Sequence, residues 1–248
     1  MSSEKTRAVV IRLADFSESS RVVTWFSDRF GKVATIAKGA KRLKGPFEAA
    51  LDLLAVCEVV ILRKSSSGLD ILTEAKLLQR FTPKSGQLAG LYGGYYVAEL
   101  LDALCEEDDP HPALYEAAEA ALSWLSAGAD VLLTLSWFEL FLLREVGHAP
   151  NFETCVACGQ PVSDAADVGF QISAGGVFCP GCVEASEPRR LISAGTMAVL
   201  NQLTAEGETT WQRLILTARQ TRELRGILTP LLIHLLGRRP RTLRYLPL

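Results

Sequence analysis

The sequence predicts an α+β multidomain protein: an N-terminal OB-fold-like β-barrel followed by an all-helical domain with an inserted four-cysteine zinc-finger hairpin. Three observations lead there. The first eighty or so residues alternate as strands do. The remainder carries helical periodicity, and four of the six cysteines fall in a C-x2-C-x20-C-x2-C pattern. The expected divisions are a barrel over 1–82, a first helical part over 83–150, a zinc-finger insert over 151–188, and a second helical part with a basic tail over 189–248.

The strands come in order. "TRAVVIRL" and "RVVTWF" are rich in β-branched and aromatic residues. "GKVATIAKG" alternates strictly, with Val33, Thr35 and Ala37 opposite Ala34, Ile36 and Lys38. A short "PFEAALDLL" segment follows, then "AVCEVVILRK" and "LDILTEAKLL", joined by the turn-like "SSSG". Five strands in this length suit a small Greek-key barrel, and the pattern alone also admits an SH3-like one. Alternation sets Trp25 and Phe26 on opposite faces, so one of them is expected in the core.

Pro83, Lys84, Ser85 and Gly86 mark the boundary, and beyond them the period becomes helical. "GLYGGYYVAELLDALC" sets Tyr92, Tyr96, Leu100 and Ala103 along one side. The acidic "EEDDPHP" ends that helix, and Pro112 can open the next at its first turn. Two helices follow, each closed by a glycine. After the cysteine-bearing insert, Ser193 is an N-cap candidate, and "ARQTRELRGILTPLLIHLLG" forms the last helix.

Composition bounds the chemistry. Of 248 residues, 48% are hydrophobic, enough for packed cores. The longest apolar run, "DVLLTLSWFELFLLREVG", is interrupted by Glu139 and Arg144, short of the ~18 apolar residues of a membrane helix. The opening residues pass straight into a strand pattern without a signal-peptide core, so cytoplasmic residence is expected. The net charge of −2 hides an asymmetry. Residues 1–80 hold 14 Lys/Arg against 9 Asp/Glu, whereas residues 81–150 hold 2 against 11.

Cys155, Cys158, Cys179 and Cys182 have the spacing of a closed tetrahedral thiolate site, each pair in turn chemistry supplied by Gly159, Pro180 and Gly181. One structural Zn2+ is expected, with no open position for a catalytic water. Cys57 and Cys105 lie in apolar segments and read as inert packing residues.

"AKGAKRLKG" gathers Lys38, Lys41, Arg42 and Lys44 between two glycines directly after a strand, without the order of a P-loop. Alone, such a loop is a solvated surface. On a small barrel it points to nucleic acid, with Phe16, Trp25, Phe26, Phe30 and Phe47 as candidate stacking rings. Arg29, Arg63 and Lys64 are weaker additions. Of three histidines, His234 sits in "LLIHLLG" and reads as a packing residue. No catalytic motif occurs, and the chain is expected not to be an enzyme.

Taken together, "DFSESSRVVTWFSDRFGKVATIAKGAKR", "YYVAELL" before "EEDDPHPALYEA", and "FELFLLREVGHAPNFETCVACG" leading to "GGVFCPGC" resemble the RecO family of bacterial recombination mediators. The resemblance covers essentially the whole chain. It implies a non-catalytic protein that binds single- and double-stranded DNA and anneals complementary strands coated by single-strand binding protein. It also implies cooperation with RecR to help RecA load, in the cytoplasm and at the nucleoid during repair. Lys38, Lys41, Arg42 and Lys44 match the family's basic loop. An acidic C-terminal tail of single-strand binding protein is expected on the helical part, where Arg219, Arg222 and Arg225 follow one another at i, i+3 and i+6. Members lacking part of the cysteine set imply that the metal is scaffold. Two other readings stay open on the residues alone: an RNA- or ribosome-associated zinc-ribbon protein, and an adaptor that binds no nucleic acid.

Overall fold

The computed structural model describes residues 2–42, 47, 50–64, 68–84, 86–162, 167–182, 190–205, 207 and 209–248. The chain divides into two compact units, Met1–Ala129 and Asp130–Leu248.

The first unit is built on a closed five-stranded barrel. Its strands are β1 (Ser2–Asp15), β2 (Arg21–Ser27), β3 (Gly31–Ala37), β4 (Val56–Arg63) and β5 (Asp70–Gln79), in the order β1-β2-β3-β5-β4. β1 closes it by pairing with β4 through its first half and with β2 through its second. One strand can serve both partners because the register shifts between Val10 and Arg12, a bulge that bends it. All pairings are antiparallel except the short parallel contact of β3 with β5 at Thr35 and Ile36. This is the expected OB-fold-like barrel.

Val10, Val23, Trp25, Val33, Val59, Ile61 and Leu72 fill the interior, and Phe47 packs among them. The Trp25 indole satisfies its N–H by donating to Thr35 Oγ1 at 2.9 Å. Phe26 points the other way yet is also fully buried. Two helices explain this: α1 (Leu88–Leu104) packs against β1, and α2 (Pro112–Ala127) against β2. The outer face of the β1–β2 pair is therefore a second core, and both rings are interior. For the same reason the compact division falls after α2, whereas the expected division followed the change from strand to helix near residue 82.

The close approach of α1 needs Gly94. A Cβ there would lie 2.6 Å from the Phe81 ring and 2.7 Å from Leu54 Cδ1. α1 buries Tyr96 and Leu100 as its period predicts, while Ala103 faces solvent. Pro112 stands in the first turn of α2, and Gly128 ends it in the left-handed conformation.

The second unit packs α3 (Val131–Glu145), α4 (Ala194–Thr204) and α5 (Ala218–Leu236) on one another, and Phe138, Leu142, Leu200 and Leu228 on them are fully buried. α5 starts with a capping box between Thr217 and Gln220 and continues through Pro230. A three-stranded sheet joins them: β6 (Val168–Gln171), β7 (Gly176–Phe178) and β8 (Arg190–Ile192), in the order β7-β6-β8. The β6–β7 hairpin is the expected one, whereas β8, at three residues, is too short to carry a period in the sequence. No helix among the described residues is long and apolar enough to cross a membrane.

Candidate metal centre and nucleic-acid interface

The four paired cysteines converge. Their Sγ atoms all lie within 4.8 Å of one another, those of Cys158 and Cys179 are 3.9 Å apart, and none of the four is in a disulfide. A tetrahedral ion with metal–sulfur bonds of about 2.3 Å sets its sulfurs about 3.8 Å apart. The set fits one ion.

Local structure produces this convergence. Gly159, at φ +72°, turns the first pair so that its amide donates to the Cys155 carbonyl at 2.8 Å. The second pair leaves β7 through a single 3-10 turn, in which the Cys182 amide reaches the Cys179 carbonyl at 2.9 Å. The two knuckles are tied by Val156 N–H to the Val177 carbonyl, 2.9 Å, and by Asn151 N–H to the Gly175 carbonyl, 2.9 Å. Gly176 permits that contact, since a Cβ would stand 2.6 Å from Val156 Cγ1. Burial opposes ionisation of Cys155, but amides around Cys179, Cys158 and Ala157 outweigh it and bring its thiol below the usual range. Hydrogen bonds with Cys179 and Cys158 push Cys182 the opposite way. Four thiolates at this spacing repel one another until a cation joins them. Cys57 and Cys105 are different: burial pushes both thiols up to about 12, as in inert core residues.

The candidate DNA-binding residues fall into two groups, at opposite ends of the β2–β3 hairpin. Its register pairs Arg21 with Ala37 at one end and Ser27 with Gly31 at the other. Lys38, Lys41 and Arg42 continue from the Ala37 end. Lys38 and Arg42 are exposed there, and Lys41 holds Asp15 at 2.9 Å. Lys44 lies outside the described residues. Arg29 belongs to the other end, where it donates to the Lys5 carbonyl at 2.9 Å and covers the Phe30 ring. Arg63 lies over the same ring and is bound by Asp70, 3.2 Å away, and by Asp108. Lys64, half-buried, donates its backbone N–H to Asp70 at 2.8 Å.

Sequence reasoning missed what the acidic run does. β5 pairs with β3 only at Thr35 and Ile36, toward the C-terminal end of β3, and residues 107–108 take the edge beside Lys32. Lys32 bridges to Glu107, the Asp108 amide donates to the Lys32 carbonyl at 3.0 Å, and Lys32 Nζ donates to the Asp102 carbonyl at 2.7 Å. The run thus straps the barrel and neutralises Arg63. A signal existed in Gly31, whose φ of +63° and close approach to Asp109 exclude a side chain.

Of the five candidate rings, Trp25, Phe26 and Phe47 are buried and Phe30 lies under two guanidinium groups. Phe16 is 59% exposed. On α5, Arg219 and Arg222 are exposed, but Arg225 is turned inward onto Glu139, so the three do not form one surface. His234 is exposed and is not the packing residue expected.

The architecture defines a class: an OB-fold-like barrel with a cationic loop end, continued by a helical unit that carries a four-thiol metal-type site. The chain belongs to the RecO family. The family model described as "Recombination protein O N terminal" matches residues 1–91, and that described as "Recombination protein O C terminal" matches residues 85–244. The DNA repair protein RecO of Rhodopirellula baltica is 34% identical over 97% of each chain. That of Anaeromyxobacter dehalogenans (strain 2CP-1) is 35% identical over 99% of this chain and 96% of its own. The RecO of Syntrophus aciditrophicus is 28% identical over 98% and 95%.

Proposed function

We propose that this chain is a DNA repair protein that works as a recombination mediator without catalysing a reaction. It binds single- and double-stranded DNA, anneals complementary strands coated by single-strand binding protein and, with RecR, assists RecA loading in the cytoplasm. The observation that carries this reading is the cationic end of the barrel, with Lys38, Lys41 and Arg42 on one loop. Such a cluster replaces the counterions of two phosphate chains and lowers their repulsion, so base pairing proceeds downhill without nucleotide hydrolysis. The four thiols hold one zinc ion that folds the insert. Arg222 is the residue offered to an acidic partner tail, Arg219 being held by Glu223 at 2.6 Å and Arg225 by Glu139.

The test is annealing of complementary oligonucleotides precoated with single-strand binding protein, at two salt concentrations. The wild type is compared with a variant carrying Lys38→Ala, Lys41→Ala, Arg42→Ala and Lys44→Ala. The expected result is salt-sensitive annealing that the variant loses. Annealing that survives all four substitutions would remove the loop from the mechanism. Tighter binding to structured RNA than to single-stranded DNA would replace the reading altogether.

A further inference from the structure

The barrel end that carries Lys38, Lys41 and Arg42 also presents Phe16, the first residue of the β1–β2 connection. A phenylalanine that is 59% exposed contributes little to the fold. The connection is nevertheless tightly built. The Phe16 amide donates to the Ser20 carbonyl at 3.1 Å, the Ser17 amide donates to the same carbonyl at 3.2 Å, and the Ser20 amide returns to Ser17 Oγ at 3.1 Å. The ring therefore stands on a hydrogen-bonded turn and not on a loose loop.

That turn is fastened to the basic loop. The Lys41 amide donates to the Ser19 carbonyl at 3.1 Å, and Lys41 Nζ pairs with Asp15, the residue before Phe16, at 2.9 Å. Arg21 holds the same carboxylate at 3.4 Å. The turn that carries Phe16 and the loop that carries the cations are thus adjoining connections, on which Arg21, Lys38, Lys41 and Arg42 outnumber Asp15 and Glu18.

An open aromatic face beside fixed cations matches the repeat of a single strand, which offers a base face next to a phosphate. A duplex offers the phosphates alone, because its base faces are stacked inside. We infer that Phe16 stacks on one unpaired base while Lys38, Lys41 and Arg42 hold the neighbouring phosphates, and that this ring adds an increment of affinity for single strands that duplex does not receive. The inference rests on the nucleic-acid reading above and adds a residue and a selectivity to it. It also supplies a release step: once the stacked base pairs with its complement, its face is taken by the duplex and the ring loses its ligand.

The experiment measures binding of a fluorescent oligothymidine and of a blunt duplex by anisotropy over a salt series. It uses the wild type, Phe16→Ala, Phe16→Trp, Phe16→Leu and a Lys38→Ala, Lys41→Ala, Arg42→Ala variant. Phe16→Ala is expected to weaken single-strand binding about 5- to 150-fold and to leave duplex binding within about twofold. Its salt slope stays that of the wild type, whereas the triple variant loses about 0.7 of slope for each single-strand phosphate contact removed. Phe16→Trp keeps the affinity and Phe16→Leu does not, because a flat π-face is required and not mere apolar bulk. Equal loss on both DNAs, no loss on the single strand, or full activity of Phe16→Leu each overturns the proposal while leaving the cationic reading standing. A folded wild type with no salt-dependent DNA binding overturns both. Unchanged unfolding midpoints across the Phe16 series confine the effects to binding.

Discussion

Arg225 on α5 forks onto Glu139 on α3, its Nη1 donating to Oε2 at 2.7 Å and its Nη2 to Oε1 at 3.1 Å, with the carboxylate fully buried. Nη2 also donates to Thr229 Oγ1 at 2.8 Å. The pair crosses the helical unit and is part of its packing. Removing one partner leaves the other charge buried, so Arg225→Ala or Glu139→Ala is expected to destabilise by about 3–5 kcal/mol. Replacing both with leucine is expected to restore most of that loss, since an apolar pair needs no compensation. Urea unfolding followed by tryptophan fluorescence checks it. A single variant as stable as the wild type would place the pair in water.

The metal site makes a regional prediction. The knuckles are joined to the β6–β7 hairpin mainly by backbone bonds, and four close thiols need a cation to ionise together. A strong chelator, or Cys155→Ser with Cys179→Ser, is expected to expose residues 151–192 to proteolysis. The barrel, in the other compact unit, should keep its DNA affinity within about twofold, because structural zinc stabilises the segment it binds. Metal analysis with mass-mapped proteolysis decides. Parallel loss of barrel binding would mean that the metal does more than fold the insert.

Glu223 gives a pH dependence. It accepts from the Ser193 amide at 2.9 Å, from Ser193 Oγ and Thr196 Oγ1 at 2.6 Å each, and from Arg219 Nε at 2.6 Å. Burial alone would raise its pKa, but these donors outweigh it and lower the carboxyl from 4.5 to about 2. A carboxylate held below its unfolded value stabilises the fold at pH above that value. The contribution, about 2–3 kcal/mol, is lost as pH falls from roughly 5 to 2. Glu223→Gln is therefore expected to be less stable at pH 7 and to lose less on acidification. Urea midpoints of both proteins at pH 7, 4 and 3 test this, and parallel curves would refute it.

How much of this was legible depended on distance along the chain. The β3 alternation, the Gly128 cap, Pro112 and the two cysteine knuckles are local signals, and each produced the structure it predicted. Trp25 and Phe26 could not be sorted, because the helices that cover the second face begin some sixty residues later. Arg225 reads as a surface cation until Glu139, 86 residues away, is seen beneath it. Arg63 is a similar case, with Asp108 lying 45 residues on. Charges report their presence in a sequence but not their partners, and it was partners that divided the candidate DNA-binding residues into open and committed ones.

That division is itself testable at Arg63. Its guanidinium is shared between Asp70 and Asp108 and lies 5.4 Å from the centre of the Phe30 ring, with a quarter of the side chain exposed. A cation already neutralised by two carboxylates releases few counterions from DNA. Arg63→Ala is expected to change DNA affinity by less than about twofold and to leave the salt slope unaltered, whereas Lys38→Ala lowers that slope by about 0.7 on a single strand. Its effect falls instead on the strap: breaking partly exposed ion pairs and a ring contact costs roughly 1–2 kcal/mol. Gly31→Ala attacks the same seam from the backbone. Its Cβ would stand 1.8 Å from the Asp109 carbonyl oxygen at a left-handed φ, so the strap must move, and the loss should exceed that of Arg63→Ala. Hydrogen exchange over residues 102–110 reads the loosening directly. A large drop in DNA affinity on Arg63→Ala, with the strap still protected, would bring Arg63 into the DNA path and extend that path to both ends of the hairpin.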